Sequence, residues 1–391
     1  MTTIAVDRHR PPLLDLERRP DAISVILMLL GALGAGVGLA FVFYKLFMEG
    51  HAAFNTSSDM AWGSPIAFYL FFLLTSSGLS IFASLDTVFG VKAFYPLAKR
   101  CLWMAIIALV AGFSILAIEI GRPFRMLWVL PLAFQYKSPM WWMGVFYSLD
   151  LVLLCLKFWE MHRRDWHSRY MHGLSYVSFV VSICAAGTLG LVFGMMAMRL
   201  AWYSPVMPMY FILLGFTSGL AFLTLFTHLL PRDQKPEVDH LYYDVVTRLF
   251  FVSLLAVIGI RVGQIITTLW SSYEGLEAHW LALRSPFFHI EIWIGLVIPT
   301  LLLSTNELRA QRMIAALAAL LFMIGFFFGR LEFLIMGQKV PLFRGYWAGW
   351  VEYWPSMTEW MLVPTGIGIF LFLYGAGNWL LRLSDSEANS R

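Results

Sequence analysis

Charged residues are scarce in this sequence. Asp, Glu, Lys and Arg make up 13% of its 391 residues, whereas a soluble domain carries roughly 25%. Apolar residues account for 59% of the chain, and the mean hydropathy is +0.71. A chain of this composition lacks the polar surface that a soluble globular protein needs. It therefore predicts an all-α integral membrane protein that crosses the bilayer many times.

Cysteine is also rare. Cys101, Cys155 and Cys184 each lie in a different apolar stretch, without a CxxC pair or metal-ligand spacing, which is typical of small buried apolar side chains. A transmembrane haem b needs two histidines deep in the spans, and His289 has no evident deep partner. We therefore expect no haem, iron–sulfur cluster or metal site in this chain, so any iron–sulfur chemistry would belong to a partner.

The N-terminus lacks the apolar core of a signal peptide. Residues 1–21, MTTIAVDRHRPPLLDLERRPD, contain no long apolar run, so they predict a tail rather than a cleaved leader. The net charge is +4, but Lys and Arg cluster at the ends of the apolar stretches. This distribution indicates an asymmetry between loops and not an affinity for nucleic acid.

Ten apolar stretches are long enough to cross a bilayer. We predict spans at 22–46, 64–86, 99–120, 139–160, 171–199, 205–231, 245–270, 285–305, 311–333 and 355–381. The transmembrane domain would then cover 22–381, between an N-terminal tail at 1–21 and a C-terminal tail at 382–391.

The positive charges predict the orientation of the spans. Eighteen Lys and Arg residues fall in the tails and in the loops after even-numbered spans, and seven fall in the loops after odd-numbered spans. By the positive-inside rule, both termini are cytoplasmic, and we expect the chain in a cytoplasmic (inner) membrane. The loop after span 3 is an exception, because it places Arg122, Arg125 and Lys137 on the outer side.

An internal repeat divides most of the transmembrane domain into two halves. Span 2 opens SPIAFYLFFLLTSSGL and span 6 opens SPVMPMYFILLGFTSGL, with Tyr69 and Gly78 separated as Tyr210 and Gly219 are. Span 4 opens SPMWWMG and span 8 opens SPFFHIE. Spans 2–5 and 6–9 are therefore predicted to form two tandem four-helix bundles of the same topology. The two copies are 64–199 and 205–333, flanked by spans 1 and 10.

Ionisable residues inside the spans are the strongest functional signal. Each costs roughly 2.5–3.5 kcal/mol on insertion scales, so it usually has a partner or a function. Several fall at or near one outer depth: Glu119 in span 3, Arg261 in span 7, His289 and Glu291 in span 8, Arg330 in span 9, Glu359 in span 10, and Tyr353 just before span 10. Together they predict an outward-facing polar site.

Several of these residues have simpler interpretations. Arg330 is near a span end and could extend to the interface, and Glu359 could be a first-turn carboxylate favoured by the helix dipole. His289 and Glu291 lie about 200° apart on a helix, so both cannot face one small ligand. Arg261 lies too deep for comfortable extension to the interface and needs a carboxylate or ligand oxygen nearby.

Two further carboxylates lie elsewhere in the spans. Asp150 is in the middle of span 4, and Asp86 is at the inner end of span 2. Either could form hydrogen bonds across the bundle or, together with Glu119, belong to a proton route.

At this point the motifs resemble a known family. WGxxIAFY at 62–69, EIGRP at 119–123 and SPMWW at 138–142 are similar to the NrfD/polysulfide-reductase membrane subunits. The second half is more similar to the hydrogenase-2-type branch, HybB. The motifs of that half are IGIRVGQ, FFHIEIWIGLVIP, FGRLEF and YWPSMTEW. The chain departs from this branch at two places. Near Trp142 it has an aromatic residue where the branch has an acidic one, and the stretch CAAGTLGLVFGMM lacks the histidine that the branch has there.

The resemblance implies a haem-free subunit of a respiratory complex that reacts with menaquinone or ubiquinone near the outer side. Such subunits bind a ferredoxin-like iron–sulfur subunit, which connects them to a catalytic or multihaem cytochrome subunit. Membrane lipid would be the other partner, and nucleic acid would not. The chain is not expected to be catalytic alone.

The leading hypothesis assigns quinone binding to Tyr353, His289, Glu291 and Arg261. Glu291 or Glu359 would relay protons, and Arg261 and Arg330 would keep those carboxylates ionised. One alternative is a proton-translocating module that uses Asp150, Asp86 and Glu119. A secondary transporter with breaks at Gly194 and Pro299, and a pure membrane anchor, are the others.

Overall fold

The computed structural model describes residues 19–91, 94–163, 168–228, 236–271, 276–341, 349–381 and 383. Within these ranges the chain contains helices and no β-strand, which confirms the all-α membrane fold. The predicted tails at 1–21 and 382–391 lie almost wholly outside the described residues. The domain boundaries therefore remain predictions.

Fourteen α-helical segments follow one another in the described ranges. They are α1 (Ala22–Glu49), α2 (Ser64–Phe89), α3 (Tyr95–Ile120), α4 (Pro123–Ala133), α5 (Pro139–His162), α6 (Arg169–Gly194), α7 (Met207–His228), α8 (Pro236–Trp270), α9 (Glu277–Ala282), α10 (Pro286–His289), α11 (Ile298–Leu302), α12 (Asn306–Arg309), α13 (Arg312–Lys339) and α14 (Met357–Leu380). A π-helical segment (Ile290–Val297) joins α10 to α11.

Nine helices in the described part of the chain are long and apolar enough to cross a membrane. The predicted eighth span corresponds to the shorter apolar helix Pro286–Leu302, which is continuous through its π segment. Seventeen residues at 1.5 Å each extend about 25 Å, slightly less than a hydrocarbon core of about 30 Å. The count of ten spans therefore depends on this helix and stays a prediction.

Several local features differ from the sequence-based expectation; α8, for example, begins at Pro236, nine residues before the predicted start of its span. The segment after span 3 contains a helix, α4, which begins with Pro123 in its first turn after Arg122. Proline is well suited to that position because its fixed φ matches a helix and its missing N–H is not needed there. In addition, α6 ends at Gly194, five residues before the predicted end. The chain then turns back, so that the Ser204 N–H donates to the Gly194 carbonyl at 3.3 Å.

The core lies around α2. Its most apolar stretch is 94% buried, against 22% for α1. Helix α2 packs against α3 and α6 of the first predicted repeat, and against α7 and α13 of the second. The assignment of the helices to two separate four-helix bundles remains a prediction.

The glycines that the predicted repeat makes equivalent, Gly78 and Gly219, lie at the contact between α2 and α7. A Cβ on Gly78 of α2 would lie 1.9 Å from the carbonyl oxygen of Gly215, and a Cβ on Gly219 of α7 would lie 2.7 Å from the carbonyl carbon of Gly78. Such distances leave no room for a side chain. The equal Tyr–Gly spacing in the two copies therefore corresponds to a close helix–helix crossing, of the kind that small residues permit in membranes.

Candidate functional site

Three charged residues from three helices meet in the second predicted repeat. Arg261 of α8 donates from Nη2 to Oε2 of Glu291 at 2.7 Å, and Nη2 of Arg330 lies 3.6 Å from Oε1 of the same carboxylate. All three are buried: Arg261 is 7% exposed, Glu291 4% and Arg330 1%. Both oxygens of Glu291 thus face guanidinium groups, which compensate its charge away from water.

The local structure of α13 and of the π segment explains this arrangement. Glu291 lies in the first turn of the π segment, and π-helical segments are frequent at functional sites. Its carboxyl group lies directly against α13, where a Cβ on Gly329 would come within 2.5 Å of its Cδ. The next residue, Arg330, is surrounded by aromatic rings. Those of Tyr210, Phe211, Phe326 and Phe333 have their centroids 5.4–5.6 Å from its Cζ.

A cavity of about 450 Å³ lies beside this charge cluster. Arg261, Gln264 and His279 provide polar groups to its wall, and Phe288, Phe333 and Met336 are among its apolar lining. Nε of Arg261, Nε2 of Gln264 and Nδ1 of His279 are buried and have no hydrogen-bond partner among the described residues. Buried polar atoms are almost always paired, so three unpaired ones on residues of one cavity wall make this region the candidate site.

His279, on the short helix α9, is held neutral. Burial, and to a smaller extent the positive charge of Arg261, lowers the pKa of its imidazole to about 4. A neutral imidazole has one nitrogen that donates and one that accepts. His279 can therefore either donate a hydrogen bond to a ligand in the cavity or accept one from it.

Glu332 is a second buried carboxylate near the cluster. Its Oε2 accepts a hydrogen bond from the Ser285 hydroxyl, and its Oε1 has no partner among the described residues. It interacts electrostatically with both Arg261 and Glu291. Glu332 is one residue before Phe333, which lines the cavity.

The remaining predicted residues at this depth form a separate cluster at the start of α14. Glu359 is completely buried. Its Oε1 accepts from the Tyr353 hydroxyl, and its Oε2 accepts from the backbone N–H groups of Asn55 at 3.2 Å and Ser356 at 2.7 Å. The Ser64 N–H donates to the Tyr353 oxygen at 2.9 Å. Glu359 thus completes a capping box with Ser356, close to the first-turn interpretation considered from the sequence.

The electrostatic surroundings of Glu359 include Tyr353 and Glu119. Burial and the adjacent Glu359 raise the pKa of Tyr353 far above its usual range, so this phenol stays protonated. Glu119, in the last turn of α3, lies close enough to Glu359 for the two carboxylates to interact, and its Oε2 has no partner among the described residues.

His289 lies in neither cluster. Its side chain is exposed, and its Nε2 lies 2.9 Å from the Leu283 carbonyl oxygen. Because Glu291 turns inward, the predicted angular separation of about 200° carries His289 to the opposite side of the helix. The structure thus brings together Arg261, Glu291 and Arg330, and separately Tyr353, Glu359 and Glu119.

A third set of buried polar side chains lies between α2, α5 and α6 of the first predicted repeat. Asp150 of α5 accepts from the Ser182 hydroxyl at 2.8 Å, and that hydroxyl is 2.6 Å from Ser80 of α2. Two turns further along α5, Lys157 donates to the Ser84 hydroxyl at 2.7 Å. Asp150 and Lys157 are completely buried. A buried row of polar groups therefore connects α5, α6 and α2.

Asp86 lies apart from that row. It is half-buried in the last turn of α2, where its carbonyl oxygen accepts from the Gly90 N–H at 2.8 Å.

The family assignment follows from a direct comparison. The chain matches the family described as Polysulphide reductase, NrfD over residues 52–341, which is most of its length. The chain belongs to the NrfD family. This confirms the family resemblance; the similarity to the HybB branch stays a prediction. The NrfD match includes Arg261, Glu291, Arg330 and the cavity, and ends before Tyr353 and Glu359.

Two of the individual relatives are named as subunits of larger redox enzymes. A selenate reductase subunit of Mesobacillus selenatarsenatis is 23% identical over 86% of this chain and 89% of its own length. The Hdr-like menaquinol oxidoreductase integral membrane subunit of Archaeoglobus fulgidus is 24% identical over 94% of each chain. Protein NrfD of Escherichia coli is 26% identical over 64% of this chain and 86% of its own length.

Three residues of these groups, Glu332, Lys157 and His279, were missed by the sequence-based reasoning, and Gln264, one turn after Arg261 in the same span, was given no role. Glu332 follows Arg330 by two positions inside an apolar span, and its charge alone was a usable signal. Lys157 follows Asp150 by seven residues, two helical turns, and so lies on the same face of α5. Gln264 and His279 carried no comparable signal, because an amide and a loop histidine are common away from any site.

Proposed function

We propose that this chain is the quinone-binding membrane subunit of a respiratory oxidoreductase complex, and that the quinone head group binds in the cavity beside Arg261. The supporting observation is that Arg261, Gln264 and His279, which line one cavity, each carry a buried nitrogen atom without a hydrogen-bond partner among the described residues. A quinone has two carbonyl oxygens, which accept hydrogen bonds from such groups, and a flat apolar ring.

The shape and lining of the cavity suit this ligand. Its volume of about 450 Å³ lies within the range of roughly 300–1,000 Å³ that is usual for small-molecule sites. Apolar side chains form most of the wall, and Phe288, Phe333 and Met336 among them can enclose a quinone ring. The few polar groups then fix the orientation of the head group.

Glu291 and Arg330 act behind the ligand in this proposal. Neither lines the cavity, whereas Arg261 does. By pairing with Glu291, Arg261 keeps its guanidinium in place and its charge partly compensated. The function of Glu291 is then to position Arg261 and not to carry protons. Tyr353 and His289 lie outside this cavity, so their predicted contacts with quinone would require a second site.

The relatives support the electron-transfer partner. One is named as a menaquinol oxidoreductase integral membrane subunit and another as a reductase subunit. We propose that this chain likewise exchanges two electrons and two protons between the quinone pool and an iron–sulfur subunit, which passes the electrons to a catalytic or cytochrome subunit. The inner membrane and cytoplasmic termini predicted from the charges are part of the proposal.

The test compares quinol binding and turnover in the purified assembled complex. Gln264→Leu removes one unpaired donor, and Arg261→Met removes the guanidinium. Each should weaken binding of a short-chain menaquinol analogue about tenfold or more, which corresponds to about 1.4 kcal/mol. Gln311→Leu, at the exposed start of α13, is the matched control and should bind as wild type. Unchanged quinol binding and turnover in both variants, with intact assembly, would instead support a pure anchor.

The buried row of polar groups in the first repeat supports a second candidate function, proton translocation. Asp150 and Lys157 carry ionisable groups into the core, and serine hydroxyls from α2 and α6 lie between them. Intramembrane ionisable residues of this kind are typical of proton relays. In reconstituted vesicles, Asp150→Asn and Lys157→Met should then lower the number of protons moved per electron. An unchanged ratio in both variants would leave the row with a packing role.

A further inference from the structure

Glu332 differs from two other buried carboxylates, Glu291 and Glu359, in the partners of its oxygens. Both oxygens of Glu291 face arginines, and the oxygens of Glu359 accept three hydrogen bonds. Glu332 is 1% exposed, yet it has one hydrogen bond, from Ser285, and a buried Oε1 without a partner among the described residues. A buried oxygen in this state is costly unless a proton or ligand reaches it.

The position of Glu332 links the cavity to the end of the bundle. The residues one and four positions further along α13, Phe333 and Met336, line the cavity. On the other side, Ser285 is the N-cap residue of α10 and is half-exposed, next to the exposed Arg284. Glu332 itself does not line the cavity, so a proton that passes between the quinone site and Glu332 would cross one bridging water, and the Ser285 hydroxyl leads on towards the surface.

We propose that Glu332 is the proton-transfer residue of the quinone site, and that it exchanges protons with the surface through the Ser285 hydroxyl. This inference rests on the proposed quinone function. In quinol oxidation the O–H bond of the head group breaks, an O–H bond forms on Oε1 of Glu332, and the electrons pass to the iron–sulfur acceptor of the partner subunit. Loss of that proton through Ser285 returns the carboxylate for the second proton. Quinone reduction uses the same steps in reverse.

Three charged groups interact with Glu332, and a fourth titratable group, His279, interacts with one of them. Arg261 faces it from α8 and Glu291 from the π segment, while Lys339 lies two turns further along α13. His279, on α9, interacts with the same Arg261. Among them, Glu291 is engaged by two guanidinium groups, and His279 stays neutral down to about pH 4. Glu332 is thus the carboxylate that is free to change its protonation state during turnover.

The experiment uses the assembled complex and the near-isosteric substitution Glu332→Gln. Turnover of the menaquinol analogue should fall about 100-fold, the scale of general acid–base catalysis, while binding of the analogue changes by less than about twofold. Glu332→Asp should retain more activity. Added formate, a small carboxylate that can enter the cavity, should restore part of the turnover of Glu332→Gln. Glu307→Gln, an exposed carboxylate on α12, is the control.

The outcomes separate the two proposals. If Gln264→Leu and Arg261→Met leave quinol binding unchanged, the quinone site is misplaced. If those variants weaken binding but Glu332→Gln keeps wild-type turnover and pH profile, only the role of Glu332 is overturned. Loss of turnover that neither formate nor Glu332→Asp restores would show a structural role instead. If Glu332→Gln fails to assemble, Ser285→Ala decides: slower turnover with a shifted pH profile supports the relay, and an unchanged profile overturns it.

Discussion

Arg261 and Glu291 form an ion pair at 2.7 Å, but of the two only Arg261 lines the cavity. The carboxylate and the ligand site therefore lie on different sides of the same guanidinium. Because Arg330 approaches the other carboxylate oxygen at 3.6 Å, Glu291 is enclosed by positive charge. In our proposal, these charged residues position the site, and this leads to separate expectations for stability and for activity.

Glu291→Gln should destabilise the protein strongly. The substitution preserves the shape of the side chain but leaves two buried guanidinium groups without their carboxylate, and breaking a buried ion pair in this way costs about 3–5 kcal/mol. Thermal unfolding of the detergent-solubilised chain measures the effect. Glu352→Gln, at an exposed carboxylate, should unfold as wild type. Equal unfolding temperatures for the two variants would show that the ion pair contributes nothing to stability.

Gly78→Ala should disturb the contact between the two copies of the repeat. The new methyl group would lie 1.9 Å from the Gly215 carbonyl oxygen, and a backbone atom cannot move aside as a side chain can. Overpacking of this kind costs about 1–3 kcal/mol. Gly259→Ala is the matched control, because no atom lies within 4 Å of its Cβ position. There, alanine should be neutral or stabilise α8 by about 0.5–1 kcal/mol. Similar unfolding of both variants would contradict the close crossing.

Tyr353→Phe tests the cluster at the start of α14. The variant removes the donor to Glu359 and leaves the Ser64 N–H without its acceptor, which should cost about 1–3 kcal/mol. Since the pKa of Tyr353 is raised by burial and by Glu359, the loss should not vary between pH 6 and 9. Tyr136→Phe, at an exposed tyrosine, is the comparison. If Tyr353→Phe is stable but binds quinol poorly, this cluster is the ligand site instead.

His279 should make stability depend on pH in the acid range. Its native pKa is lowered to about 4, whereas an unfolded histidine titrates near 6.5. Between those values the unfolded chain binds the extra proton, so folding loses stability as the pH falls from about 6.5 to about 4. Unfolding of wild type and His279→Gln at pH 7.5, 5.5 and 4.5 measures this contribution. The difference between the two proteins should change with pH; a constant difference would mean that His279 is not held neutral.

The sequence predicted much of the architecture because the relevant signals are local. Apolar stretches located every long helix in the described ranges to within a few residues at most ends, and serine–proline pairs marked the starts of α2, α5 and α10. The Tyr–Gly repeat anticipated that Gly78 and Gly219 are equivalent. It did not show that these glycines touch, because contact depends on how two helices cross and not on the pattern within either of them.

For the candidate site, too, the sequence predicted local features but not the contacts between helices. By itself, the sequence determined that ionisable side chains are placed within apolar spans, and that His289 and Glu291 cannot both face inward, since helical geometry fixes their angular separation. Only the tertiary structure decided that Glu291 faces inward, that it pairs with a residue thirty positions away, and that Arg261, Gln264 and His279 line the same cavity. The rotation and packing of each helix against its neighbours set those contacts, and they are not encoded in the periodicity of any single span.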